Sequence, residues 1–199
     1  MSRSLLLRTS VTLGATLLFA VPATAQTVPP VDEQIVAATL PLPEHMRAGA
    51  TVLGYRTAAR LETLRRGTNG MTCLAHNPKE TTRFHVACYH DSLEPFMLRG
   101  RELRAEGKNA AQVDTVRFAE VAKGTLKMPT SGALYSITGP AGSYDPVKKA
   151  APGSRALFVM YMPGATEAST GLTTTPRADG PWLMLPGTPK AHIMFTLSM

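Results

Sequence analysis

Only two of the 199 residues are cysteine, one is tryptophan, and aromatic residues make up 6% of the chain. So few cysteines exclude a disulfide-dense scaffold and a four-thiolate metal cluster. No C-x-x-C pair occurs, which removes thioredoxin-type redox chemistry. There is no G-x-S-x-G, H-E-x-x-H, G-x-x-x-x-G-K-[ST] or G-x-G-x-x-G string. The serine-hydrolase elbow, the zinc-protease helix and the glycine-rich phosphate loops are therefore not written here. Acidic residues are scarce, 14 against 21 Lys and Arg, for a net charge of +7. The nearest acidic pairs, such as Glu102 and Glu106, stand four apart, the spacing of a solvated helix face rather than of a glycosidase pair.

The positive charge does not make a nucleic-acid surface. Basic residues cluster only at Arg65-Arg66, at Arg99, Arg101 and Arg104, and at Lys148-Lys149. A binding face shows a dense basic stripe or aromatics set among the basic residues. The charge is equally compatible with a weak attraction to anionic envelope surfaces.

One apolar run exists, Val11 to Val21, preceded by Arg3 and Arg8 and followed by Pro22 and Ala23-Thr24-Ala25. A basic start, a short apolar stretch and an A-x-A site make a secretory signal peptide over residues 1–25. The run is about half of the roughly 20 residues that span a bilayer. The mature chain is expected to begin at Gln26, as one extracytoplasmic domain over 26–199 with no membrane span after cleavage. The expected location is the periplasm or the medium.

The remaining pattern predicts an α+β fold with strand-rich N- and C-terminal parts flanking a two-helix insert. Asp32 to Leu40 reads as a short helix capped by Asp32, with Ile35, Val36 and Leu40 on one face. Thr51 to Arg56 and Arg60 to Arg66 read as strands. Asn69-Gly70 favours the tight turn of a hairpin, and Met71, Cys73 and Ala75 alternate after it. Asn77-Pro78 turns the chain again, and Arg83 to Tyr89 places Phe84, Val86 and Cys88 on one side. These strands together predict a β-meander. Asp91-Ser92-Leu93-Glu94 resembles a capping box, and its helix stops near Gly107. Asn109 to Gln112 opens a second helix that ends near Gly124, with a stripe of Val113, Val116, Phe118, Ala119 and Ala122. Ala133 to Thr138, Ala156 to Met162, Trp182 to Leu185 and Ile193 to Leu197 are the later strands. Gly164 to Gly180 reads as a surface loop.

Cys73 and Cys88 lie on either side of the Asn77-Pro78 turn and on the same face of their strands. After export they are expected to form a disulfide, worth roughly 3 kcal/mol for a loop of this size. That pairing takes both sulfurs from any zinc site built with His76 and His90, and His85 faces away from Cys88. No metal ligand and no cofactor is assigned. Met160, Met162, His192 and Met194 are the residues that a copper-binding alternative would use.

Three segments together resemble a group of secreted bacterial proteins with no assigned activity. They are Leu64 to Cys73 (L-R-R-G-T-N-G-M-T-C), Tyr161-Met162-Pro163-Gly164, and Gly180-Pro181-Trp182 with His192-Ile193-Met194. The group carries L-R-x-G-T-N-G-W-T-C, a second cysteine soon after, a Y-M-L-x-G-G strand and a W…P-H-x-M-I ending. Here Met71 replaces the tryptophan, Ala191 replaces the proline before the histidine, and residues 108–154 look inserted. The resemblance implies export, the disulfide and one compact unit, and brings no activity.

Where those segments meet, Arg65, Asn69, Tyr161, Trp182 and His192 are the candidate ligand-binding residues. The leading expectation is a non-catalytic exported domain that binds a small ligand or an envelope component. The alternatives are a hydrolase using His192 with a loop hydroxyl such as Ser169, and a copper- or zinc-binding protein. No catalytic residue is assigned.

Overall fold

The computed structural model describes residues 27–197, so the expected signal peptide lies outside the described residues. Eight strands make one sheet: β1 (Thr51–Tyr55), β2 (Leu61–Arg65), β3 (Met71–Leu74), β4 (Arg83–His90), β5 (Gly132–Pro140), β6 (Arg155–Tyr161), β7 (Trp182–Met184) and β8 (His192–Leu197). Their order is β2-β1-β3-β4-β5-β6-β8-β7. Every neighbouring pair is antiparallel except β1 with β3. The helices are α1 (Val31–Thr39), α2 (Glu44–Arg47), α3 (Glu94–Ala105), α4 (Ala110–Ala122) and α5 (Glu167–Thr170). The fold is α+β, with α3 and α4 inserted between β4 and β5, two strands that pair directly. Among the described residues no helix is long and apolar enough to cross a membrane.

Period-two alternation gives each face its own cover. On β4, Phe84, Val86 and Cys88 face α1 and the 140–153 loop, joining Ala37, Ala38, Leu42, Val52, Cys73 and Ile137. Tyr89 faces the other way, where Leu93 and Met97 of the helical insert cover Leu134, Val159 and Tyr161. Cys73 stands directly opposite Cys88 in the β3–β4 register, and the two are joined in a disulfide.

The first strands are not the expected meander. β2 folds back on β1, and residues 66–70 then cross the end of β1 to deliver β3 parallel to it on the far side. Gly70 does take the positive φ that Asn-Gly favours, +73°, but it leads into β3 instead of closing a hairpin. The crossing is bonded to the chain beneath it. Thr68 and Asn69 both donate their backbone N–H to the Gly49 carbonyl, and Gly67 N–H donates to Thr51 Oγ1 at 3.0 Å.

The face of α1 also differs from expectation. Gln34, Ala37, Ala38 and Thr39 are its buried residues, while Ile35 and Leu40 pack at the margins. Small alanines let the helix lie close to the sheet. The Gln34 amide completes β1 as a strand would: Nε2 donates to the Tyr55 carbonyl at 2.7 Å and Oε1 accepts the Tyr55 N–H at 2.8 Å. Asp32 does not cap α1, because the helix begins one residue earlier.

Asn109 and Gln112 form the predicted capping box of α4. Asp91 is not the cap of α3. A single 3-10 turn over Asp91–Leu93 precedes that helix, the His90 side chain accepts the Ser92 N–H, and Asp91 accepts the Thr72 hydroxyl at 2.6 Å. On α4 the buried residues are Val113 and Arg117, whereas Ala119 and Ala122 are exposed. The expected stripe fails because Arg117 takes the interior position, its guanidinium 3.8 Å above the Phe96 ring. The 164–180 stretch holds the helical turn α5, closed by a Thr166–Ser169 capping box and by Gly171 at φ +68°.

Candidate functional site

The five candidate residues divide between two regions. Arg65 and Asn69 belong to the crossing near the β2 edge. Arg65 donates to the carbonyls of Arg47 and Ala50, and Asn69 Nδ2 donates to the Met46 carbonyl at 2.7 Å. Both side chains bond the chain to itself, and with Gly67 they account physically for the L-R-R-G-T-N-G string.

Tyr161, Trp182 and His192 share the face of β6, β8 and β7 that carries the helical insert, with Trp182 opposite Met194. Tyr161 pairs with His192 across the strands, and their rings stack with centroids 5.3 Å apart. Burial lowers the His192 pKa, partly offset by its hydrogen bond to the Lys190 carbonyl, 2.7 Å from Nδ1. The carbonyl can only accept, so Nδ1 carries the proton and Nε2 the lone pair. Asp114 of α4 bridges Lys190 at 2.8 Å and Arg117 at 2.5 Å. Burial raises the Tyr161 phenol, and the Arg117 charge opposes that rise. Arg117 Nε and Trp182 Nε1 are buried without a hydrogen-bond partner among the described residues. The cluster fastens α4 to the end of the sheet.

A hydrolase would need a hydroxyl against His192. The hydrogen bond of His192 goes to a backbone carbonyl, and Ser169 is spent on the cap of α5, where its Oγ accepts the Thr166 N–H. The copper candidates are split between faces. Met160 pairs with Ile193, and Met194 lies on the opposite face, opposite Val159. Among the described residues no three His, Cys, Asp or Glu side chains group as a metal site.

Another convergence of polar side chains lies in a recess of about 270 Å³ on the same face as the helical insert. Leu61, Leu74 and Ala87 make an apolar base, and Tyr55, His76, Arg83, His85 and Arg101 surround it. The register places these strand residues on one face: Tyr55 opposite Leu61, and Leu74 opposite Ala87. Burial raises the Tyr55 phenol, and Arg101 pulls it back. Arg101 is held in place by Glu94 at 2.6 Å and by the Tyr89 hydroxyl at 2.8 Å. Tyr89 in turn donates to Glu94, and burial, followed by that bond, holds its phenol protonated. Burial lowers the His85 imidazole, and Arg83 and His76 lower it further. Its Nδ1 lies 2.8 Å from Thr138 Oγ1, its partner across β4 and β5.

Sequence inspection misses this recess because its parts come from β1, β2, β3, β4, the 75–82 turn and α3. One signal was present: His85 alternates with the inward-facing Phe84 and Val86, so it had to face the insert. Compared with known proteins, the chain matches no family model, no curated protein and no solved structure.

Proposed function

We propose that the protein is an exported, non-catalytic domain that binds a small ligand carrying an acidic or acceptor-rich group in the recess beside Tyr55 and Arg101. The observation that carries this reading is the preorganised Arg101 guanidinium. Its geometry is fixed by Glu94 and Tyr89 before any ligand arrives, at the edge of an apolar base. Fixed donors over an apolar floor suit binding, since little order has to be gained on association. Arg83 stands 3.6 Å from Glu80 and Arg101 is paired with Glu94, so what the recess offers is the remaining guanidinium N–H donors and not a net positive charge. Export, a periplasmic or secreted location, and kinship with the secreted L-R-x-G-T-N-G-x-T-C group belong to this proposal. The N-terminal sequence pattern and the Cys73–Cys88 disulfide support them.

The test is native mass spectrometry of the protein purified from the periplasm, before and after mild unfolding. A small-molecule mass that leaves on unfolding, and that is lost in Tyr55→Phe and Arg83→Met, is the expected result. A bare oxidised chain, together with no thermal shift from a panel of small carboxylates and phosphates, overturns it. A second reading rests on the His85–Thr138 contact, a hydroxyl beside an imidazole. Turnover of an ester panel that disappears in Thr138→Val would favour hydrolysis over binding.

A further inference from the structure

The opposite face of the sheet holds a second cavity with different chemistry. The first turn of α1 and the 140–153 loop enclose a slot of about 260 Å³. Phe84 and Tyr144 line it with rings 5.9 Å apart and nearly parallel, and His76 tilts against Phe84 at 5.4 Å. Gln34 also lines it, but its amide is spent on Tyr55 and Pro29. Glu33 is the one Asp, Glu, Lys or Arg in the lining. No ion pair engages Glu33 among the described residues.

We propose that this slot binds a small organic ammonium ion, a quaternary or alkylated amine. The chain carries a net +7, yet among the described residues no Lys or Arg lines this slot. Aromatic faces are negative, and a cation within about 6 Å of them is attracted, most strongly when it is poorly hydrated. Burial, then Glu33, then Asp145 holds the Tyr144 phenol protonated, so that ring stays neutral. Lys148, four positions after Tyr144, is engaged with Asp145 at 3.7 Å.

Ligand number and size narrow the class further. An inorganic divalent ion requires about six oxygen ligands, and the slot offers one carboxylate. A primary ammonium needs acceptors for three N–H bonds, which aromatic walls do not provide. An alkylated ammonium needs only apolar contact and a counter-charge. At about 30 Å³ for each water-sized group, the slot holds roughly nine such groups, enough for a trimethylammonium head with a short tail. The site shares only His76 with the recess on the other face, and it does not depend on that recess having a ligand.

Isothermal titration calorimetry of the folded protein tests this with choline. The control is choline's uncharged carbon analogue, in which a tert-butyl group replaces trimethylammonium. The expected result is that choline binds and the analogue binds about tenfold or more weakly. Glu33→Gln and Tyr144→Leu should each weaken choline by about tenfold. Equal affinity for the two compounds would make the slot merely apolar and overturn the proposal. So would the absence of choline binding, or unchanged binding in the variants that fold. Should Tyr144→Leu fail to fold, Glu33→Gln decides alone, because Glu33 is only half-buried on the first turn of α1.

Discussion

A Cβ on Gly67 would stand 2.2 Å from the carbonyl oxygen of Gly49. The next atoms are the Ala50 carbonyl carbon and the Thr51 nitrogen, both at 2.3 Å, so no side chain can rotate away to make room. Gly67→Ala is expected to push the crossing off β1 and cost about 3 kcal/mol or more, the upper range for overpacking. Gly107→Ala is the contrast. Its φ of +84° strains an alanine, but the space around it is open, so about 1 kcal/mol is expected. Urea midpoints of the two variants compare them directly. Equal midpoints would remove the close approach as a constraint.

Cys73 and Cys88 are both completely buried. A reductant therefore reaches the disulfide only through opening of the sheet. Alkylation after reductant treatment should label neither cysteine under native conditions and both in urea, read as mass shifts. Replacing both by alanine is expected to cost about 3 kcal/mol, from the fifteen-residue separation they close. Ready labelling of the folded protein would contradict this packing.

Gln34 offers a test of polarity at constant shape. Its amide donates to two carbonyls and accepts one N–H. Gln34→Glu keeps the acceptor, loses the donors and turns a carboxylate toward the Tyr55 and Pro29 oxygens. We expect a loss of about 2 kcal/mol near pH 7, recovered in part at about pH 4 when the acid can again donate. The variant's melting temperature relative to wild type at the two pH values checks it. A deficit independent of pH would refute it.

Acid should destabilise the fold in two steps. His192 is lowered by burial, with the Lys190 carbonyl as a partial offset. His85 is lowered by burial, then by Arg83 and His76. Both are neutral when folded and bind protons more readily when unfolded. Their contribution is complete above about pH 6.5 and is lost as pH falls through the depressed folded values. Burial raises Asp114, but its bonds from Lys190 and Arg117 outweigh that and hold it below the usual carboxylate range. Its contribution is complete above about pH 4 and fades below it. His192→Gln should shrink the first step and Asp114→Asn the second, in which Glu80, Asp145 and Asp179, also lowered by their hydrogen bonds, take part. At neutral pH Asp114→Asn should also cost about 2 kcal/mol. That is less than for an enclosed pair, because a quarter of the Asp114 side chain is exposed. Stability curves of the variants against pH decide both.

What was legible in the sequence was what local chemistry dictates. The Asn109–Gln112 cap, the alternation of β4 and the pairing of Cys73 with Cys88 each depend on neighbouring residues or a single turn. Asn69-Gly70 misled because the dipeptide specifies a backbone angle, not the strand that follows. Whether β3 lies beside β2 or beyond β1 is settled by Gly67 and Gly49, eighteen positions apart. The face of α1 was misread because Gln34 is polar, and its partner, the Tyr55 backbone, carries no side-chain signal. Arg117 was absent from the predicted stripe for the same reason, since its burial depends on Phe96 of another helix. Tyr161 and His192 do meet, with Trp182 on the same face opposite Met194, whereas Arg65 and Asn69 serve the crossing.

The crossing of residues 66–70 also dictates an order of assembly. β1 is flanked on both sides by strands that follow it in the chain, so its pairing is complete only once β3 has been made. The β1–β2 pair and the β3–β4 pair are local and can form early. Their union through the parallel β1–β3 contact, Thr51 with Thr72, spans little more chain than Met71 with His90 within the β3–β4 pair. A chain oxidised at Cys73 and Cys88 offers a preformed β3 edge for β1 to find. The bond that staples the finished sheet thereby also shortens the search that builds it.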